Sequence, residues 1–169
     1  AGGGQDEDGL GDGTRGGGVL ILEVDTLELD GEIRARSGTS NTNSSRPAGA
    51  GGSLQLYADT VRGAGQIDLS GSGTGTNFPS GHFVGPGGGG RAALYVDVFD
   101  GFDPAAQVLA RGGRRGSNNV WGDAGTVFVL QPTDTFGRLI VDNGAGRGAG
   151  STDLPPLGRW TVVATEVDG

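Results

Sequence analysis

Residues 51–59 of the chain have the sequence GGSLQLYAD, and residues 89–97 have the sequence GGRAALYVD. Both stretches begin with a glycine pair, have apolar side chains at every second position after it, and end with an aspartate. A related stretch covers residues 17–25, and shorter versions follow at 124–130 and 157–164. The second residue of each opening pair recurs at intervals of 34, 38, 35 and 33 residues. A recurrent interval of this size predicts a repeat protein whose units share one structure.

Apolar residues lie at every second position of these stretches, which is the pattern of a strand that buries one face. The residues expected in the core are Leu20, Leu22 and Val24; Leu54, Leu56 and Ala58; Ala92, Leu94 and Val96; Val127 and Val129; and Trp160, Val162 and Ala164. Because the phase is the same in every unit, we expect the strands to stack in register. Tyr57 and Tyr95 then share one outward position. Asp25, Asp59 and Asp97 share another.

A second, shorter strand is expected in each unit, after a turn. Its inward residues are Ile33 and Ala35, Ile67 and Leu69, Val108 and Ala110, and Leu139 and Val141. Segments rich in glycine, serine and asparagine, such as 37–49 and 70–90, lead to the next unit, and their glycines permit the dihedral angles of tight corners. Because no stretch has an apolar period of about 3.6 residues, we expect almost no helix.

Together these patterns predict a single all-β domain, a parallel β-helix (solenoid) of about four to five stacked coils with long glycine-rich turns. The usual preference of crossover connections makes this solenoid right-handed. The predicted units are a leading turn, 1–16, the coils 17–50, 51–88, 89–123 and 124–157, and a terminal strand, 158–169.

The composition limits the classes of function. The chain has 169 residues with 38 glycines, no cysteine and a formal net charge of −8. The acidic balance argues against nucleic-acid binding, which requires basic surface. The absence of cysteine excludes thiol catalysis and disulfides, and no apolar run approaches the roughly 20 residues of a membrane helix. We therefore expect no nucleic-acid partner and no membrane insertion.

The segments GGSLQLYADTVRGAGQIDLSG, GPGGGGRAALYVDVFDGF and AGTVFVLQPTDTFGRLIVDNGAG resemble the glycine-rich β-helical repeats of large bacterial surface and extracellular proteins. The resemblance covers residues 17–144. It implies a right-handed, all-β solenoid that is extracellular or displayed on the cell surface. It implies no set of catalytic residues, because such repeats occur in proteins with many roles.

The acidic segment 6–13 is the candidate for a calcium site, because calcium prefers oxygen ligands and glycine lets the chain wrap around the ion. Its candidate ligands are Asp6, Asp8 and Asp12. The spacing is not that of an EF-hand loop, and a solvated acidic turn explains the same residues. The single histidine, His82, lies in a glycine-rich loop, where a surface position explains it better than catalysis or metal binding. No other cofactor is expected.

Two further groups of residues have alternative interpretations. Tyr57, Tyr95 and Trp121, the last in a predicted loop, are candidates for glycan contact, although aromatic rows also stabilise sheets by cross-strand packing. A polysaccharide-cleaving site would use paired carboxylates or a carboxylate with arginine. The residues that suit it are Asp97, Asp100 and Asp103 with Arg91 or Arg111. Aspartate also serves ordinary turns.

Neither end of the chain has the polar cap that a solenoid normally needs for solubility. Uncapped coils expose core residues and unpaired backbone, which invites pairing with another coil. The residues assigned to self-assembly are Trp160, Val162 and Ala164 at one end and Leu20 and Leu22 at the other. We predict a non-catalytic extracellular structural protein that stacks head to tail into a filament, or that belongs to the stalk of a longer surface adhesin. The alternative is a polysaccharide-binding or polysaccharide-cleaving β-helix.

Overall fold

The computed structural model describes residues 14–38, 48–74, 85–116 and 120–144. Its strands are β1 (Val19–Glu28), β2 (Glu32–Arg34), β3 (Ser53–Arg62), β4 (Gln66–Asp68), β5 (Arg91–Asp100), β6 (Val108–Leu109), β7 (Arg114–Arg115), β8 (Val120–Trp121), β9 (Thr126–Leu130) and β10 (Arg138–Ile140). Within these ranges the only helix is the single turn α1 (Pro104–Gln107). The prediction of an all-β chain with almost no helix is therefore confirmed. The described ranges contain no helix with the length and apolar character needed to cross a membrane.

The large sheet consists of β1, β3, β5, β9 and β10, in that order. Its first four strands are parallel, and their register follows the sequence repeat. Leu54 of β3 lies between Leu20 of β1 and Ala92 of β5, and Val127 of β9 lies beside Ala92. The four alternating strands therefore stack in one phase, as the sequence predicts.

The small sheet consists of β2, β4 and β6, which are also parallel. Ile67 of β4 lies between Ile33 of β2 and Val108 of β6. The inward residues of both sheets form one core, in which Leu56 and Ile67 are fully buried. Burial of apolar surface contributes about 25 cal/mol per Å², so this shared core holds the two sheets together.

The fourth repeat differs from the prediction. The sequence predicts Leu139 and Val141 in a short strand beside β6, whereas β10 pairs antiparallel with β9 and places Leu139 beside Phe128. The connection 131–137 forms a turn in which the Asp134 N–H donates to the Gln131 carbonyl oxygen, and a short connection of this kind suffices for antiparallel strands. The large sheet is therefore mixed and all the sheets are small, in contrast to the predicted uniform stack of parallel coils.

In each of the three long strands, β1, β3 and β5, the alternation of inward and outward side chains shifts by one residue near the middle. In β1, Asp25 and Thr26 are both exposed, whereas Val24 and Leu27 on either side of them pack against the core. In β5 the equivalent residues Asp97 and Val98 are both exposed, and in β3 Asp59 is exposed and Thr60 half-buried. Two consecutive outward residues act like a bulge, which redirects the strand. The aspartate of each repeat therefore lies on the outer side of this change of direction.

The glycine pairs that open the strands allow one backbone segment to touch another. A Cβ on Gly51 would overlap the carbonyl oxygen of Leu69, and a Cβ on Gly89 would overlap that of Ala110. The neighbouring Gly90 N–H donates to the Leu69 carbonyl oxygen at 2.9 Å. Because glycine has no Cβ, these pairs fasten the start of each long strand directly to the end of a short strand.

Candidate functional site

A groove of about 860 Å³ crosses the outward face of the large sheet. Its polar and aromatic lining comes from matching positions of successive repeats: Glu23 and Asp25 of β1, Tyr57 and Asp59 of β3, Tyr95 and Asp97 of β5, and Gln131 and Asp134 after β9. The groove therefore runs along the stacking direction and crosses one strand per repeat.

The two tyrosines form the aromatic part of the groove. Tyr57 and Tyr95 are direct partners in the register of β3 and β5, as the sequence predicts. Their rings are stacked, with centroids 4.8 Å apart and planes 11° apart, and Phe128 contacts Tyr95 edge-on with centroids 6.3 Å apart. The stacked rings follow the strand spacing and stabilise the sheet. On the side away from Tyr95, the cross-strand neighbour of Tyr57 is Glu23.

A row of carboxylates runs beside the tyrosines. Asp25, Asp59 and Asp97 lie between residue pairs that are in register, so each strand contributes one carboxylate at intervals of about 4.8 Å. All three side chains are exposed. Glu23 and Asp134 bring the number of carboxylates to five, and no described lining residue is basic. Because like charges at this spacing repel one another, the groove favours a cationic occupant.

The turn after β9 forms one wall of the groove. The Gln131 side-chain amide donates to the Asp97 carbonyl oxygen at 3.2 Å, and the Asp134 carboxylate accepts from the Gln131 N–H at 3.0 Å. These bonds attach the turn to β5 and hold Asp134 beside the carboxylate row. The repeat pattern gives no indication of Gln131 or Asp134, which lie in a turn. Glu23, by contrast, occupies the tyrosine position of the first repeat, and that alignment is the signal that would have found it.

Trp121 does not join the other two candidate glycan contacts. It lies in β8 rather than in a loop, and β8 pairs antiparallel with β7 so that Trp121 is opposite Arg114. The Arg114 guanidinium lies 5.5 Å from the centroid of the Trp121 ring, in a cation–π arrangement. The structure therefore separates Trp121 from the groove that contains Tyr57 and Tyr95.

The residues considered for a polysaccharide-cleaving site are dispersed. Asp97 lines the groove, whereas Asp103 caps the N-terminus of α1. Arg111 binds Asp142, with 2.8 Å between Nη2 and Oδ2. Arg91 begins β5 and lies about 20 Å along the strand from Asp97. Asp100 ends the same strand, outside the groove lining. The geometry therefore does not bring these side chains together.

The β1 end of the stack contains the two assembly residues that the structure describes. Leu20 and Leu22 lie beside Leu54 and Leu56 and are only partly buried, although their partners are 3% and 1% exposed. Within the described ranges no strand pairs with the outer edge of β1 or of β2. Among the residues that the structure describes, this open end therefore has partly exposed core side chains and no partner strand for its backbone hydrogen-bonding groups.

Several predicted site residues lie outside the described ranges. They are the possible calcium ligands Asp6, Asp8 and Asp12, the histidine His82, and the assembly residues Trp160, Val162 and Ala164. In the part of the chain that is described, no three acidic or histidine side chains are placed to hold a metal ion. The calcium and terminal-strand assignments therefore stay predictions.

Comparisons with models of protein families, with curated proteins and with solved structures give no match to this chain. The resemblance to glycine-rich β-helical repeats therefore stays an expectation. The function has to be inferred from the residues and geometry of the chain itself.

Proposed function

We propose that the chain is a non-catalytic structural protein of the cell surface or extracellular space. In this proposal it is a right-handed parallel β-helix that stacks head to tail with further subunits, or that continues as part of an adhesin stalk. The observation that carries the proposal is the open end at β1 and β2, where a row of core residues is half-buried. A further coil at this end would bury the row and pair the free edges.

Gly18 gives the most specific support for stacking at β1. In the next three repeats, a Cβ on the equivalent glycine would overlap the backbone of the glycine one coil earlier: Gly52 overlaps Gly18, Gly90 overlaps Gly52, and Gly125 overlaps Gly90. A Cβ on Gly18 would meet no described atom within 4 Å. Gly18 therefore has the residue type that stacking requires, although no described coil lies against it.

The opposite edge of the large sheet bears on where the terminal strand of the chain pairs. β10 occupies the outer edge of β9, so that edge is not open to another parallel strand. We therefore propose that the terminal strand, with Trp160, Val162 and Ala164, pairs with β1 of a second copy and not with β9 of its own chain. In that position its apolar residues cover Leu20 and Leu22.

Two complementary variants test this assembly. Gly18→Ala places a methyl group on the accepting end, and deletion of residues 160–169 removes the donating strand. Each variant alone is expected to give monomers in analytical ultracentrifugation and no filaments in negative-stain electron microscopy, with the β signal in circular dichroism retained. An equal mixture is expected to form a one-to-one complex, because one chain keeps the accepting end and the other keeps the donating strand.

Gly88→Ala is the matched control, because a Cβ there approaches only the Asp123 carbonyl oxygen, at 3.7 Å. This control is expected to assemble like the unaltered chain. Filaments formed by Gly18→Ala would overturn the role of β1, and filaments formed by the truncated chain would overturn the role of the terminal strand. An unaltered chain that stays monomeric at every concentration would overturn the filament itself.

Polysaccharide binding is the second candidate function, and the groove on the large sheet favours it. The tyrosine pair offers ring edges and hydroxyl groups, and the five carboxylates offer acceptors for sugar hydroxyls. The groove is open along the stacking direction, which suits a linear polymer. In this proposal each coil of the solenoid contributes one set of residues to the sugar-binding groove.

A further inference from the structure

Asn143 and Gly144 form the single asparagine–glycine pair in the whole sequence. Because glycine has no side chain to hinder it, its backbone nitrogen readily attacks the carboxamide of an asparagine that precedes it. We propose that Asn143 is a self-modification site, at which deamidation is blocked while the hydrogen bonds of its side chain hold and proceeds when they open. This inference goes beyond the proposed function and does not depend on it.

The Asn143 side chain links the segments that follow three strands. Its Oδ1 accepts from the Gly112 N–H, after β6, at 2.7 Å, and its Nδ2 donates to the Gly122 carbonyl oxygen, after β8, at 3.0 Å. Asn143 itself follows β10, and both glycines are buried. A carboxylate accepts hydrogen bonds but donates none. Aspartate at position 143 would therefore not make both bonds.

The backbone explains why glycine follows Asn143. Gly144 has a φ of +60°, in the left-handed region that favours glycine. Its N–H donates to Asp142 Oδ1 at 2.7 Å, and the Arg111 guanidinium binds Oδ2 of the same carboxylate at 2.8 Å. The local geometry therefore requires the pair of residues in which asparagine, a chemically labile residue, is most easily deamidated.

Both reacting groups are held while this corner of the fold is closed. The bonds to Gly112 and Gly122 oppose the rotation that would bring the Asn143 carboxamide onto the Gly144 nitrogen. The Asp142 carboxylate binds the Gly144 N–H, and its negative charge opposes removal of the proton that the attack requires. We therefore expect the reaction to wait for a local opening in which these bonds break.

The chemical step needs water as its only added reactant. The Gly144 nitrogen loses its proton to solvent and attacks Cγ of Asn143. A bond forms between this nitrogen and Cγ, the bond between Cγ and Nδ2 breaks, and Nδ2 takes up a proton from solvent and leaves as ammonia. Water then opens the succinimide to give aspartate or isoaspartate. Neither product has the Nδ2 donor, so a carboxylate oxygen would face the Gly122 carbonyl oxygen. Reclosure of the corner is therefore disfavoured, and the modification loosens it irreversibly.

The test follows deamidation at position 143 by mass spectrometry of proteolytic peptides. The unaltered chain is incubated folded and in urea, at one pH and temperature, and we expect the folded chain to react at least about tenfold more slowly. Asp142→Ala releases the Gly144 N–H and is expected to speed up the reaction of the folded chain but not of the chain in urea. Asp100→Ala, which removes the same charge from the end of β5, is the control and should react like the unaltered chain. Thermal melts set a temperature at which all the chains are folded.

Hydrogen exchange measures the effect of the modification on the corner. Asn143→Asp, which has the aspartate product in place, is expected to exchange faster at Gly112 and Gly122 and to leave β3 unchanged. Equal deamidation rates in the folded chain and in urea would overturn the protection, and no deamidation in urea would overturn the site. Asp142→Ala that reacts no faster than the control would overturn the role of the carboxylate. Unchanged exchange in Asn143→Asp would overturn the loosening of the corner.

Discussion

The first repeat and the two repeats after it have the same sequence pattern in different environments. Leu22 of β1 is only half-buried, whereas its ladder partners Leu56 and Leu94 are 1% and 0% exposed. On the outward face of β1, Val19 and Ile21 are 77% and 67% exposed. The comparison shows that burial of a strand is supplied by the adjacent repeat more than by the residues of the strand itself.

The largest difference is expected from matched leucine substitutions in the two environments. Leu56→Ala removes a fully buried side chain and is expected to lower the free energy of unfolding by about 3 kcal/mol. Leu22→Ala should cost about half as much, because part of that side chain is already in water. Urea unfolding of both variants measures the difference. Equal costs in the monomer would show that β1 is as well covered as β3.

A comparison of Gly90 with Gly18 tests the same difference between a covered repeat and the first repeat. A Cβ on Gly90 would meet the carbonyl oxygens of Gly52 and Leu69, so Gly90→Ala is expected to cost about 2 kcal/mol through overpacking. The same change at Gly18 meets no described atom and is expected to be neutral or to stabilise the monomer slightly, because alanine restricts the unfolded chain. Thermal melts at a concentration without assembly compare the two variants. A similar loss of stability in both variants would contradict an open end at β1.

The smallest effect on stability is expected just after β10, where Asp142 makes polar contacts with Arg111 and Gly144. Burial raises the pKa of Asp142, but hydrogen bonds from the Arg111 side chain and the Gly144 N–H outweigh it, so the pKa lies below its usual value. A lowered folded-state pKa means that the carboxylate stabilises the fold above the unfolded pKa of about 4 and loses this contribution as the pH falls through the folded value.

Asp142→Asn is therefore expected to lower stability slightly near neutral pH, by well under 1 kcal/mol, because the Arg111 and Asp142 side chains are 41% and 43% exposed. The difference from the unaltered chain should vanish as the pH falls below about 4. Urea midpoints measured as a function of pH provide the test. A constant difference across that range would show that packing of the amide, and not the charge, is responsible.

The sequence predicts the parallel part of the large sheet because two independent signals agree there. Period two assigns Leu54 and Ala92 to the core, and the glycine pairs fix the interval between them. The same pattern at Leu139 is misleading, because alternation tells which residues share a face and not which way a strand runs. The direction of β10 is decided by the turn before it, through the bond between Asp134 and Gln131.

The groove is predicted from the sequence only where it follows the repeat. Tyr57 and Tyr95 are found because they occupy the same position in successive units. Asp134 is missed because it lies in a turn with no counterpart in other repeats. Trp121 is grouped with the tyrosines by residue type alone, but its neighbour in the structure is Arg114 on an adjacent short strand. Such local pairing is not encoded in the repeat interval.

The helical turn α1 shows how this architecture accommodates a change in length. The turn between β5 and β6 is longer than the turns that precede β2 and β4. Gln107, at the end of α1, donates from its side chain to the carbonyl oxygens of Gly63 and Gly65 in the preceding repeat, at 3.2 and 2.7 Å. The extra residues therefore leave both ladders undisturbed. This corner is a natural place to graft a foreign loop, since an insertion there is anchored to the previous repeat and leaves the spacing of the strands unchanged.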